Sequence, residues 1–203
     1  MSFGGPAGRE RTALFAYGSL VSAESVATTL GRPPRPVRRA TLRGWRRSFT
    51  LLRDNRRSEK TFARVDDGSI PDWILSLNLE RGEGGPPPNG ALIEVDETEL
   101  ARLDLREIRY ARCEVTSAVE SPGGSVPFAR VVTYVARPEC YAPGPPAGAV
   151  ILRAYVEAVE AAFAILGPEE LDAFRGSTPV PPVEVIEGEL VRDEIPAGNP
   201  RAW

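Results

Sequence analysis

The segment LDLREIRYAR, residues 103–112, carries the side chain best suited to moving a proton: Glu107, placed where a helical spacing of leucines gives way to a strand-like run. A carboxylate at such a junction can project into a space between the two elements. Partly desolvated there, it holds its proton to higher pH and can exchange it near neutrality. The competing reading is an ordinary solvated glutamate at a helix end. Asp104, on a similar helix face, is expected to be structural or exposed; Arg106 and Arg112 are expected on the surface, the alternative being that they pair with these acids or with a substrate. A second stretch, LFAYGSL at residues 14–20, runs an apolar strand straight into Tyr17, Gly18, Ser19 and Leu20. Gly18 can take backbone angles closed to other residues and lets a ligand approach the main chain. Successive N–H groups at such a corner, followed by a helix start, suit a carboxylate; a plain strand-to-helix turn is the alternative. Tyr134 and Tyr141 are candidates to line a pocket, against simple packing.

The rest of the inventory narrows the chemistry. The chain has no histidine, which excludes serine–histidine and cysteine–histidine catalysis and removes the commonest zinc ligand. No short cluster of carboxylates and thiolates is present, so neither metal nor cofactor is expected. Proton transfer falls to Asp, Glu, Tyr, Cys or the lone Lys60. Cys113 and Cys140 read as two buried free thiols rather than a disulfide scaffold. The net charge is −3, yet twelve of the 25 basic residues lie between Arg32 and Arg64, against only Asp54 and Glu59. That segment reads as a solvated strand face and loop, or as arginine forks for an acidic leaving group. Nucleic-acid binding is disfavoured, because the chain is acidic overall and no nucleic-acid motif accompanies the patch.

These groups need elements to position them. The pattern predicts a strand over 12–17, then a helix from the cap Ser22 to Leu30, closed by Gly31. Strands are expected at 37–43, 45–52, 73–79 and 91–95, with RDNRRSEK as a loop. Asp96 with Glu99 fits a capping box opening a helix to about Leu105 that buries Leu100 and Leu103. Strands at 110–119 and 130–136, helices at 150–166 and 169–174, and an edge strand around 183–191 complete the reading. Strands dominate the first two-thirds and helices cluster later, which makes the fold class α+β. The expected organisation is a flexible N-terminal arm (1–11), one domain (12–176) and a proline-rich tail (177–203) packed on it. A chain of 203 residues suits one core, burying roughly 70% of the unfolded chain's surface. No apolar run reaches membrane-spanning length and the opening lacks a signal-peptide core, so no membrane partner and a cytoplasmic location are expected.

Taken together, LFAYGSL and LDLREIRYARCEV resemble the γ-glutamylcyclotransferase-like proteins. In that family a strand ending in Tyr-Gly-Ser-Leu precedes Leu-Asp-x-x-Glu and then Tyr-x-Arg-x-x-Val, here Leu103, Asp104, Glu107, Tyr110, Arg112 and Val115. NGALIEVDETEL and VVTYVA also fit, and the likeness covers roughly residues 12–166. It implies a compact, barrel-like mixed sheet flanked by helices. It implies that Tyr17, Gly18, Ser19 and Leu20 receive a γ-glutamyl head, with Tyr134 beside them, and that Glu107 is the acid/base of a cyclisation releasing 5-oxoproline. Many members place glycine and a longer spacer after the glutamate. Here only Ile108 and Arg109 precede Tyr110, as in a bacterial subgroup, which leaves the released amine open. A binding module for a γ-glutamyl compound without turnover is the alternative function; a homodimer stays open.

Overall fold

The computed structural model describes residues 11–35, 37–197 and 199; most of the expected arm, residues 1–10, and the last residues of the tail lie outside that set. The elements run β1 (Thr12–Ala16), α1 (Ala23–Leu30), β2 (Arg38–Leu42), β3 (Trp45–Asp54), β4 (Lys60–Arg64), β5 (Trp73–Arg81), β6 (Asn89–Val95), α2 (Glu97–Arg106), β7 (Tyr110–Glu114), β8 (Val119–Glu120) and β9 (Arg130–Ala136). β10 (Ile151–Leu152), α3 (Arg153–Leu166), α4 (Pro168–Ser177), β11 (Val185–Ile186) and β12 (Gly188–Asp193) complete them. The class is α+β, with a curled mixed sheet and helices packed against it.

The apolar TALFA of β1 is buried on both faces, because it lies inside a six-stranded sheet of order β7-β9-β1-β6-β2-β8. β1 runs antiparallel to β6, from Thr12 opposite Val95 to Ala16 opposite Ala91, and parallel to β9. Leu14, Phe15, Leu92, Ile93, Val131 and Val132 form the centre of the core together with Leu100 and Leu103 of α2 and Phe163 of α3. Gly90 of β6 has a steric reason to be glycine. A Cβ there would sit 2.2 Å from the Ala16 carbonyl oxygen and 2.9 Å from the Phe15 ring, so only a bare backbone passes the end of β1 this closely.

β3 and β5 form a long antiparallel ribbon with a register shift between Ser48 and Leu51. The Leu75 N–H donates to the Val150 carbonyl at 2.8 Å and the Trp73 carbonyl accepts from Val150 N–H at 3.0 Å. Backbone groups alternate sides along a strand, so Leu77, two residues on, also turns its N–H and C=O to the edge away from β3.

Helix ends follow their local chemistry. Ser22 caps α1, its hydroxyl accepting from Ser25 N–H at 3.3 Å, and Gly31 ends it in the left-handed region at φ 75°. Asp96 and Glu99 exchange the two bonds of a capping box, each at 2.9 Å.

Several boundaries differ from the sequence reading. The strand predicted over 110–119 stops at Glu114, and a short 3-10 turn at Thr116–Ala118 separates it from β8. There the Thr116 hydroxyl, rather than a strand neighbour, accepts the Val131 N–H at 2.9 Å. The helix predicted from 150 starts at Arg153, because Ile151 and Leu152 pair in parallel with Val185 and Ile186. RDNRRSEK is not all loop: β3 continues to Asp54 and β4 opens at Lys60, paired with β12. α4 runs to Ser177, one residue past the expected domain limit. Cys113 and Cys140 are free but half-buried rather than buried.

Candidate active site

Where β1 ends, the chain leaves the sheet through Tyr17 and Gly18 into a 3-10 turn, Ser19–Val21, and from there into α1. The Gly18 and Ser19 carbonyls accept from Val21 N–H at 2.9 Å and Ser22 N–H at 3.2 Å, which closes the turn. A first helical turn leaves its own amides without internal acceptors; the N–H groups of Ser19 and Leu20 meet no backbone carbonyl among the described residues. Gly18 itself lies at φ −137° and ψ −134°, in neither the β nor the helical region. What the glycine provides is space: a Cβ would point at the Tyr155 hydroxyl, 3.5 Å away.

That space belongs to a hollow lined by Tyr17, Gly18, Ser19, Leu20, Leu77, Glu107, Tyr110, Tyr134 and Tyr155, with an empty volume of about 350 Å³, mouth included. Six of the residues singled out from the sequence, Tyr17, Gly18, Ser19, Leu20, Glu107 and Tyr134, therefore border one space. Glu107 reaches it because α2 ends there: Glu107 is the C-cap, its N–H bonded to the Leu103 carbonyl at 2.8 Å. Its side chain is 14% exposed and lies 3.2 Å from the Arg106 Nε.

Four tyrosines shape the remaining walls. Tyr17 Oη donates to the Tyr134 carbonyl at 2.8 Å, and Tyr134 Oη donates to Asp104 Oδ1 at 2.7 Å. Asp104 also lies 3.6 Å from Arg112 and is exposed. Tyr110 Oη donates to the Leu77 carbonyl at 2.8 Å, while Tyr155 Oη accepts from Leu77 N–H at 3.2 Å. The two hydroxyls thereby occupy the free edge of β5. The Tyr155 hydroxyl has its acceptor side occupied, and its own proton donates to no described residue. Tyr155 and Leu77 were not singled out by the sequence, and Tyr110 only as part of a motif. Tyr155 hides in the apolar spacing of α3, where an aromatic reads as core.

Burial separates the titrating groups. It raises Glu107 above the ordinary carboxylate range; Arg106 opposes that most strongly, then Arg109. Tyr17 and Tyr110 are pushed well above the usual phenol value by burial, then by neighbouring tyrosines and Glu107. Tyr155 and Tyr134 are raised by burial too, Tyr134 next by its bond to Asp104. The tyrosines stay protonated as donors, and the carboxyl is the group poised to exchange a proton.

Two expectations about charged and aromatic residues are corrected. Tyr141 does not line the hollow: it is 40% exposed and bridges to Leu51 instead. Arg106 is not on the surface but buried, because three acceptors on α1 receive its guanidinium. Among the described residues, no three or more Cys, Asp or Glu side chains gather as metal ligands.

An α+β domain with a curled sheet and a carboxylate-bearing hollow at the end of its central strand is the class that fold and site define. The family model described as γ-glutamyl cyclotransferase, AIG2-like, matches residues 14–149, and the chain belongs to that family. Solved structures share the fold at low identity. A protein titled γ-glutamyl cyclotransferase superposes with a TM-score of 0.58 at 17% identity, over 88% of this chain and 95% of its own. The Homo sapiens protein loc79017 gives 0.57 at 16%, over the same shares. YkqA from Bacillus subtilis gives 0.54 at 19%, over 81% of this chain. The match spans about half of YkqA, 53% of its length. Among curated proteins no sequence matches. Membership supports a γ-glutamyl cyclotransferase-like role.

Proposed function

We propose that the protein cyclises a γ-glutamyl amide to 5-oxoproline and releases an amine, with Glu107 as the general acid/base. The substrate's own α-amine attacks its γ-carbonyl carbon, a C–N bond closes the five-membered lactam, and the original amide C–N bond breaks. Glu107 takes the proton from the attacking nitrogen and returns it to the leaving one. No enzyme nucleophile takes part, which suits a chain without histidine. Holding amine and carbonyl in a near-attack geometry contributes about 7–11 kcal/mol in well-oriented intramolecular reactions. A placed acid/base adds typically 10²–10⁴-fold.

Supporting this reading above all is the meeting of Glu107 and the Tyr17–Leu20 turn across one hollow. The turn's amides seat the anionic glutamyl end, and the Tyr155 hydroxyl is a donor for charge developing on the carbonyl oxygen. The residue that carries the proton is tested by Glu107→Gln, which keeps the shape and removes the titration. Release of 5-oxoproline should fall at least about 100-fold with the circular-dichroism spectrum unchanged; turnover within a fewfold of the parent would remove Glu107 from the role.

A further inference from the structure

The sequence reading puts Arg106 on the surface or paired with a nearby acid; its side chain is 1% exposed. Its guanidinium is fixed to α1 at three points. Nη1 donates to the Ser25 carbonyl at 2.8 Å and to Thr29 Oγ1 at 2.7 Å, and Nη2 donates to Ser25 Oγ at 2.8 Å. The remaining corner, Nε, lies 3.2 Å from Glu107 Oε1, an ion-pair contact rather than an aligned hydrogen bond. A planar fork pinned on one side presents its other side in a fixed direction. A second arginine one turn earlier, Arg102, reinforces the same seam by donating to the Thr29 carbonyl at 2.6 Å. α1 is also the helix that follows directly from the Tyr17–Leu20 turn, so this fork ties one wall of the hollow to the carboxylate on the other.

We propose that Arg106 is a positioning residue: anchored on Ser25 and Thr29, it aims the Glu107 carboxylate into the hollow and favours its charged form. The geometry stands on its own; the catalytic consequence rests on the function proposed above. The other charged or titratable groups around Glu107 are few. Arg109 comes from the turn after α2 and is itself held by Ser58 Oγ and Glu59 Oε2, each at 2.9 Å. Tyr17 faces it from the end of β1, Tyr110 from β7, Tyr134 from β9 and Tyr155 from α3. The phenols stay neutral. Arg106 is the cation in contact, and an opposite charge at that range favours the charged carboxylate.

The test uses the full chain and two readouts. Infrared difference titration follows the Glu107 carboxyl, assigned by the band that Glu107→Gln removes; kinetics follow kcat/KM for 5-oxoproline release against pH. Arg106→Met should move the carboxyl titration and the acid limb of the rate profile to higher pH. On that limb kcat/KM should fall about tenfold or more with KM changed little, and Arg106→Lys should restore most of both. A folded Arg106→Met protein whose Glu107 titrates as in the parent overturns the proposal, even if its stability is lower. Should Arg106→Met not fold, Thr29→Val removes one anchor while keeping the guanidinium. A smaller displacement in the same direction is then expected, and no displacement overturns the proposal. If the parent turns over no γ-glutamyl amide, the proposed function fails, and the infrared titration still decides the role of Arg106.

Discussion

Glu107 sits under opposed forces: burial favours its neutral form, and Arg106 at 3.2 Å favours its charged form. Burial wins in direction, so the folded protein holds this proton to higher pH than the unfolded chain does. The consequence for stability has a definite sign. A carboxyl whose folded pKa is raised contributes most to stability below its unfolded value, near 4.5, and loses that contribution as pH rises through the folded value. Glu107→Gln does not titrate. Its melting temperature relative to the parent should therefore climb as pH rises from below about 4.5 and level off above the folded pKa, as read by thermal denaturation at several pH values. A difference independent of pH would mean that folding does not raise the pKa of this carboxyl. This cost is what an acid/base buried at a strand–helix junction carries in exchange for a useful pKa.

Elements place this carboxyl, and one close crossing fixes them. β6 passes the end of β1 at Gly90, where a methyl group would collide with the Ala16 carbonyl at 2.2 Å. Backbone cannot step aside as a flexible side chain can. Gly90→Ala should cost at least about 1–3 kcal/mol in chemical denaturation, and should lower activity beyond the loss of folded protein, because the Tyr17–Leu20 turn hangs from that strand end. The same substitution at Gly144, whose added Cβ would meet nothing within 4 Å, is the natural control. Much at this scale was legible from sequence. The TALFA strand, the Ser22 and Asp96 caps and the Leu100/Leu103 face are all set by neighbours a few residues away. β4 and the β12 strand it meets were poorly legible: KTFAR and GELVRD are short and rich in charge, and they pair across more than a hundred residues. The late start of α3 has the same cause, since Ile151 and Leu152 are held by Val185 and Ile186 rather than by their own helix.

Across the whole molecule, the uneven charge of the chain resolves into pairs. The basic segment meets acids from elsewhere: Arg32 with Glu99, Arg35 with Glu94, Arg46 with Glu80, Arg56 with Asp72 and Arg64 with Glu184. The surface of that segment is thus a set of ion pairs, each worth little alone, where the sequence reads a solvated strand face and loop or arginine forks for an acidic leaving group. Arg47 departs from that reading altogether. It is 1% exposed, lies over the stacked Phe163 and Phe174 rings, and donates to Ser177 Oγ at 3.1 Å and Thr178 Oγ1 at 2.9 Å as well as to the Asn89 carbonyl. One buried guanidinium therefore joins β3, the start of β6 and the end of α4. Nothing around residue 47 in the sequence reveals this, because its partners lie 42 to 131 positions away. Arg47→Ala should destabilise by at least about 3 kcal/mol in urea unfolding, while Arg47→Met, which keeps the volume and buries no charge, should cost much less. Equal losses would show that the hydrogen bonds rather than the packed volume dominate. The hollow was legible for a different reason: its two halves, 17–20 and 103–110, are short runs that read as an ordinary turn and helix end singly and resemble the γ-glutamylcyclotransferase-like pattern only when taken together. What could not be read was the tyrosine wall from α3 and the buried anchor of Glu107 on α1.

The most direct measurement is mass-spectrometric detection of 5-oxoproline after incubating the full chain, and separately its Glu107→Gln variant, with a panel of γ-glutamyl amines, γ-glutamyl dipeptides and glutathione. At least one compound should yield 5-oxoproline and its free amine in equal amounts with the parent and next to none with the variant. No 5-oxoproline from any of them, or equal amounts from both proteins, would contradict the account.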